Sequence, residues 1–278
     1  MFWMGRGRKL ETLSDFNRAI KSGYGIGKGK EYLPWLRVQD VKSHGVRSQI
    51  WGRKTNREHH TLSSIESEFF YLAEFCDSVI DIREQFPLLP LNISQKIAAS
   101  IGVAHPKIPS SGESNIITTD FLLTRKVGDE IFYEAVSVKP ESESNKQRVL
   151  EKIDIERVWW ELLGIKFSYF TGNELTQIQS RNICWVTAPY RSTSAEFSST
   201  DIELALETLV LGKLFTTDIC HSFMNALGIH SADALSLLRF LIAEKYVVVD
   251  MSQVLEDSGI MDILHISQSI KLVANGYR

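Results

Sequence analysis

Two β-type runs, Ile116 to Arg125 and Ile131 to Val138, are separated only by Lys126-Val127-Gly128-Asp129-Glu130. A Gly-Asp pair between apolar runs has the chemistry of a tight turn, so the two runs are expected to form one antiparallel hairpin. With the turn at Gly128-Asp129, the register pairs residues whose numbers sum to 257. Asp120 then lies opposite Ser137, and Lys139 follows two residues on along the same face. Both charges stand in apolar surroundings, Asp120 within Ile116-Ile117-Thr118-Thr119-Asp120-Phe121-Leu122-Leu123 and Lys139 at the end of Ala135-Val136-Ser137-Val138. An unpaired buried charge costs several kcal/mol, so a fold containing this hairpin must give both groups partners.

The flanking segments supply a mixed α/β frame. Ser63 and Ser64 can cap a helix over 65–76 that carries Ile65, Phe69, Leu72 and Ala73 at helical spacing. Val79 to Phe86 reads as a strand, stopped by Pro87 and Pro90. Arg148 to Leu163 forms an amphipathic helix and Lys166 to Thr171 a returning strand. The order is that of an α/β arrangement on a mixed sheet. Upstream, Asp15 to Lys21 forms a short helix capped by Ser14, followed by the glycine-alternating run Gly23 to Lys30. Downstream, Thr217 to Leu227, Gly228-Ile229, Ser231 to Glu244 and Tyr246 to Val249 read helix, turn, helix, strand, the order of a winged helix. A groove-reading helix carries Arg, Lys, Asn or Gln near its start. Ser231-Ala232-Asp233-Ala234-Leu235 has none, which favours protein contact over base reading. The expected organisation is a basic arm over 1–60, an α/β domain over 61–172 and a mainly helical, winged-helix-like domain over 173–278.

Charge divides the chain the same way. The 278 residues carry a net charge of −3, but residues 1–60 hold 13 Lys and Arg against 5 Asp and Glu. Residues 61–172 hold 11 against 17. A basic arm on an acidic body either meets a polyanion or is a solvated tail. Under the first reading Lys28, Lys30, Arg53, Lys54 and Arg57 are the first candidates for phosphate contact. With 44% hydrophobic and 23% charged residues the composition is that of a globular chain. No apolar run is long enough for a membrane span, and Met1 to Arg6 opens no secretory signal, so an intracellular, cytoplasmic protein is expected. Cys76, Cys184 and Cys220 are too scattered for a disulfide framework or a metal knuckle and read as buried free thiols.

Two chemistries account for the charged hairpin. One is a structural Asp120–Lys139 ion pair. The other is a hard-cation site, in which the carboxylates of Glu66 and Asp120 bind Mg²⁺ through oxygen. The ion would polarise a scissile phosphate, while Lys139 stabilises the developing charge and positions or deprotonates the attacking water. Other polar residues have plainer readings. Adjacent His59 and His60 cannot share a helical face as a zinc pair would. Arg83 and Glu84 read as a strand-end ion pair, and Trp159 and Trp160 as core and rim aromatics.

Asp-X(n)-(Asp/Glu)-X-Lys across a hairpin is a nuclease signature, here with Ser137 in place of the middle acid. The runs His59 to Glu66, Asp81 to Leu88, Thr118 to Leu122, Val138-Lys139-Pro140 and Leu150 to Arg157 resemble the TnsA family of transposon endonucleases. Gly27 to Trp35 resembles it as well, so the likeness extends over about 24–172. The resemblance implies a catalytic domain of the restriction-endonuclease fold and a winged-helix-like C-terminal domain. It implies a bacterial, nucleoid-associated subunit that cuts transposon 5′ ends beside TnsB, a DDE-type transposase, and that is bound by the ATP-dependent regulator TnsC. Glu66, Asp120 and Lys139 match the family's active-site acids and lysine. Ser137 stands where its best-known member has glutamine, which leaves a backbone carbonyl of Ser137 or Val138 to ligate the metal. Glu156 matches a further acid behind the site. Mg²⁺ is the implied cofactor, with Mn²⁺ as a substitute. A self-sufficient restriction-like nuclease and a decayed nuclease-fold assembly subunit are the alternatives. Intact Glu66, Asp120 and Lys139 oppose decay, and the acidic C-terminal domain opposes autonomy.

Overall fold

The structure, a computed structural model, describes residues 7–41, 46–143, 145–191 and 197–267. The opening hexapeptide and the last eleven residues, which the sequence assigns to the basic arm and the C-terminal domain, lie outside them. The chain divides into two compact units, Met1–Asn173 and Glu174–Arg278.

The first unit begins with α1 (Leu13–Lys21), capped by Thr12 rather than Ser14. The Thr12 hydroxyl accepts from the Asp15 amide while Asp15 reaches back to Thr12, a reciprocal pair that Ser14 cannot form inside the first turn. A two-stranded hairpin follows, β1 (Ser48–Gly52) and β2 (Arg57–Thr61). Then come α2 (Ser64–Phe75), with Ser63 as its cap, and β3 (Val79–Pro87). After α3 (Leu91–Ser100) the chain forms β4 (Thr118–Val127), β5 (Glu130–Val138), α4 (Gln147–Leu162) and β6 (Lys166–Phe170). The sheet order is β3-β4-β5-β6, antiparallel except for the parallel pair β5 and β6. One face packs Phe121, Leu123 and Val136 with Phe70 and Ala73 of α2. The other packs Leu122 and Ala135 with Ile97 of α3 and Ile155, Trp159 and Trp160 of α4. Both tryptophans are therefore core residues.

The hairpin has the expected register, from Val127 opposite Glu130 to Phe121 opposite Val136. It stops there, one step short of Asp120 and Ser137. Thr118 and Thr119 continue their ladder with β3, whereas Ser137 and Val138 continue theirs with β6. The two strands part company at this end, so the Val138 N–H needs an acceptor other than β4 backbone.

The first sixty residues are part of this unit. Phe16, Ala19 and Trp35 share a core cluster with Ile108 and Ile116. They also cover the outer edge of β3, where unpaired carbonyls would otherwise invite another strand. The Ile82 carbonyl accepts from Arg57 Nη2 at 2.8 Å, that of Glu84 from Tyr32 Oη at 3.0 Å, and that of Gln85 from the Trp35 amide at 3.3 Å. Glu84 anchors the arrangement. Its fully buried carboxylate takes two bonds from Arg57, at 2.8 and 2.6 Å, one from His59 Nδ1 at 2.7 Å and one from the His60 amide at 3.1 Å. Gly52 makes room for the His59 ring, since a Cβ there would lie 2.6 Å from it. Glu84 therefore does not pair with Arg83, whose partner is Asp81 at 3.3 Å. Neighbouring strand residues point to opposite faces, which forbids the expected pair.

The second unit contains α5 (Glu174–Val186), α6 (Ser199–Glu207), β7 (Gly212–Phe215), α7 (Thr216–Leu227), α8 (Ser231–Ala243), β8 (Val247–Val249), α9 (Leu255–Ser258) and β9 (Ile260–Ile266). The sheet order β7-β9-β8 is antiparallel throughout. Helices α7 and α8 meet at 107° across Gly228, whose φ of 68° ends α7 in the left-handed region. Ala234, Leu237, Leu238, Leu241 and Ile242 of α8 form its buried face. Asn182 ties α5 to the loop before α9, donating to the Met251 and Gln253 carbonyls and accepting from the Leu255 amide. Among the described residues no single helix is long and apolar enough to cross a membrane.

Burial opposes the charge of Glu84, but His59 and Arg57 hold its carboxyl far below the ordinary value of 4.5. The unfolded chain binds that proton first on acidification, so the stabilisation is complete above about pH 4.5 and is lost as pH falls toward the folded pKa. Glu84→Gln leaves Arg57 buried without its counter-charge, and the expected cost at pH 7 is about 3–5 kcal/mol. Urea denaturation across pH should show a constant gap from the wild type above pH 5 that narrows below about pH 4. A gap independent of pH would contradict the assignment.

Candidate active site

The splayed end of the β4–β5 hairpin collects the charged residues. Asp120 fills the opening. Its Oδ2 accepts from the Val138 amide at 2.7 Å, supplying the missing ladder acceptor, and from Lys139 Nζ at 2.7 Å. Lys139 Nζ also donates to the Val138 carbonyl at 2.8 Å. Ser137 is fully buried, with its hydroxyl 3.4 Å from Asp120 Oδ2.

Glu66 arrives from the first turn of α2, where an acid suits the helix N-terminus. Its Oε1 accepts from the capping Ser63 hydroxyl at 2.8 Å, and its Oε2 from the Leu62 amide at 2.9 Å. Between the two acids lies Gln85 of β3, whose Nε2 is 3.2 Å from Glu66 Oε2 and 3.4 Å from Asp120 Oδ1. Behind them, Glu156 of α4 accepts from the Thr119 hydroxyl at 3.1 Å, which itself accepts from Trp160 Nε1 at 2.8 Å. Lys152 lies 3.9 Å from Glu156 on the same helix.

A model of the TnsA-like endonuclease N-terminal domain matches residues 76–172. The Escherichia coli transposon Tn7 transposition protein TnsA is 38% identical to this chain over 232 residues, covering 83% of each protein. The chain belongs to the TnsA family of endonucleases. The matched domain contains Asp120, Ser137, Val138, Lys139 and Glu156, and Glu66 lies just before it on α2.

In this TnsA-family chain three buried acids, Glu66, Asp120 and Glu156, share the lysines Lys139 and Lys152. Burial, and then the neighbouring Asp120 charge, pushes the Glu66 carboxyl up to about 7. Burial likewise pushes Glu156 up to about 7, opposed by Lys152. Burial works against Asp120 as well, but Lys139 and the Val138 amide outweigh it and its pKa falls below the ordinary value. Lys139 is held charged in return, its pKa raised by Asp120 against the pull of burial.

Of the five basic residues expected to meet phosphate, Lys28, Lys30 and Arg53 are exposed. Arg57 is buried on Glu84 and is not offered to a ligand, which corrects that expectation. Lys54 is half-buried, with Nζ donating to the carbonyls of Cys76 at 2.6 Å and of Val79, so it fastens the end of α2 to β3. Sequence reasoning missed Gln85. A polar residue inside the apolar run Val79 to Phe86 was the available signal, the same signal that marks Asp120. Tyr169 pairs with Ser137 in the β5–β6 ladder, and its buried hydroxyl has no hydrogen-bond partner among the described residues.

The folded chain keeps a proton on Glu156 up to about pH 7, whereas an unfolded glutamate releases it near 4.5. Wild-type stability should therefore fall as pH rises between those values. Glu156→Gln removes the part of that slope due to Glu156 and leaves the part due to Glu66. In chelator, its advantage over wild type should be small at pH 4.5 and grow by on the order of 1–3 kcal/mol by pH 8. A difference that does not change with pH would refute the buried, protonated state.

Proposed function

We propose that the Glu66, Asp120 and Lys139 cluster is the phosphodiester-cleaving centre of a DNA transposition endonuclease. The observation that carries this reading is two buried carboxylates from different elements meeting where a hairpin splays open, with a lysine ammonium on one of them. The order α2, β3, β4, β5, α4 and β6, with α3 inserted between β3 and β4, supports a restriction-endonuclease-like core. The order α6, β7, α7, α8, β8, β9 supports a winged-helix-like C-terminal domain over about 173–278. Ser231, Ala232 and Asp233 at the exposed start of α8 fit a protein partner better than a DNA groove.

The donor set fits Mg²⁺, with Mn²⁺ as a substitute. Among the described residues no group of three or more His, Cys, Asp or Glu side chains is placed to hold a metal ion. Mg²⁺ does not require one, since it is commonly held by one or two carboxylates with water and substrate phosphate. Glu66, Asp120 and the Val138 carbonyl are hard oxygen donors, and a divalent cation would offset both the burial and the Asp120 charge that raise Glu66. The bound ion supplies Lewis-acid polarisation of the phosphate and a more acidic water. Ser63 and the Leu62 amide hold Glu66 for this role, and the Val138 amide holds Asp120. Lys139 supplies positive charge for the developing oxyanion and positions or deprotonates the attacking water.

The Tn7 relative's name places it in transposition. For this chain the corresponding reading is cleavage at transposon 5′ ends beside a TnsB-type transposase and a TnsC-type ATP-dependent regulator. Asp120→Ala and Lys139→Ala should each lower cutting of labelled transposon ends at least 10²–10³-fold, about 2.7–4 kcal/mol, with the TnsB-type partner present. Chelator should abolish wild-type cutting, and Mn²⁺ should restore it. Near-wild-type cutting by either folded variant would refute the site. If thermal stability collapses instead, the ion pair is structural.

Lys28 and Lys30 flank Gly29, whose amide is fixed on Asp81 at 3.1 Å, so both project from an anchored loop. Every phosphate that a lysine no longer neutralises lowers the salt slope of duplex binding by roughly 0.9. The Lys28→Ala, Lys30→Ala double variant should thus flatten log K against log salt by up to about 1.8 on any sequence. An unchanged slope would assign the basic segment to solvent or to a protein partner.

A further inference from the structure

Gln85 is 2% exposed and has a φ of 49°, within the left-handed region that disfavours every residue except glycine, with asparagine the next most tolerant. It interrupts the alternation of its strand. The successive carbonyls of Glu84 and Gln85 are both taken by the segment that covers β3, one by Tyr32 and the other by Trp35. Backbone strain of this kind persists only where the surroundings hold it, and it gathers at functional sites.

The side chain explains what is held. Its nitrogen reaches both acids, Glu66 Oε2 at 3.2 Å and Asp120 Oδ1 at 3.4 Å. Its oxygen accepts from the Thr118 hydroxyl at 3.0 Å. A carboxamide has two N–H donors, one for each carboxylate, and the Thr118 hydroxyl fixes which end faces them. The chemistry is selective. A lysine or arginine at this place would compete with a cation for the same oxygens, and an acid would add a third negative charge. An amide bonds both carboxylates without adding charge of either sign.

We propose that Gln85 is a positioning residue of the nuclease centre, a neutral clasp that holds the Glu66 and Asp120 carboxylates together so that they bind a divalent cation as one ligand set. This inference rests on the metal-dependent reading of the same site and extends it to a residue on β3. Gln85 does not touch the reacting phosphate. It acts through the two acids, and Thr118 acts through Gln85.

The test is Mn²⁺ binding by the full chain, measured by titration calorimetry in the absence of DNA, with cleavage of transposon ends as a second readout. Gln85→Gly and Gln85→Asn both tolerate the left-handed backbone. The first removes the amide and the second shortens its arm by one methylene. Both should bind Mn²⁺ at least tenfold more weakly than wild type and cut correspondingly slowly at limiting metal, with the rate recovering as Mn²⁺ is raised. Thr118→Val should weaken Mn²⁺ binding in the wild-type background and add nothing in the Gln85→Gly background, because its effect passes through the amide. Binding within twofold of wild type by both Gln85 variants would overturn the inference, as would an equal Thr118→Val penalty in both backgrounds. If the wild-type chain binds no Mn²⁺, the metal-dependent reading itself falls and takes the clasp with it.

Discussion

The structure depends on concentrating carboxylates in a place that burial makes costly for them. Glu66, Asp120 and Glu156 are all buried, with Lys139 as the ammonium in direct contact with Asp120. Burial, joined at Glu66 by the Asp120 charge, keeps protons on Glu66 and Glu156, as their raised values record. Such an arrangement costs stability and is hard to account for as packing, since apolar groups of similar size would serve a core better.

The scaffold is arranged around that constraint. The β4–β5 hairpin splays at one end, where the Asp120 side chain accepts from the Val138 amide and the Lys139 ammonium. The cap of α2 fixes Glu66 from the other side. Strand β3 serves both faces of the problem with adjacent residues. Glu84 binds the β1–β2 hairpin through Arg57 and His59, while Gln85 reaches the acids. The basic N-terminal segment is thereby fastened to the strand that carries Gln85 of the candidate site, which links its placement to the geometry of the two acids.

Much of this was legible in the sequence because it follows from local periodicity. The hairpin register, the Ser63 cap, the α7–α8 turn at Gly228 and the polar interruptions at Asp120 and Lys139 are all statements about neighbours in the chain. What was not legible depends on strands that do not pair. The β4–β5 ladder ends at Phe121 and Val136, one step before Asp120 and Ser137, and no property of the hairpin sequence announces that. Arg57 looked like a phosphate ligand because its partner Glu84 lies 27 residues away in sequence. Helix α3 was hidden behind Pro90, which reads as a stop for the strand but serves as the helix's N-cap. The left-handed backbone of Gln85 has no counterpart in residue type, since glutamine is not a residue that announces a positive φ.

If the two acids at the splayed hairpin are the metal ligands of this TnsA-family nuclease, a cation must bring them together. The most direct test is a crystal structure of the chain soaked in Mn²⁺, with the ion located by its anomalous scattering. The expected result is a peak contacting both the Glu66 and Asp120 carboxylates and the Val138 carbonyl, with Lys139 moved off the Asp120 oxygen it now holds. A peak elsewhere, or Lys139 still paired to Asp120 in crystals saturated with the ion, would contradict that assignment.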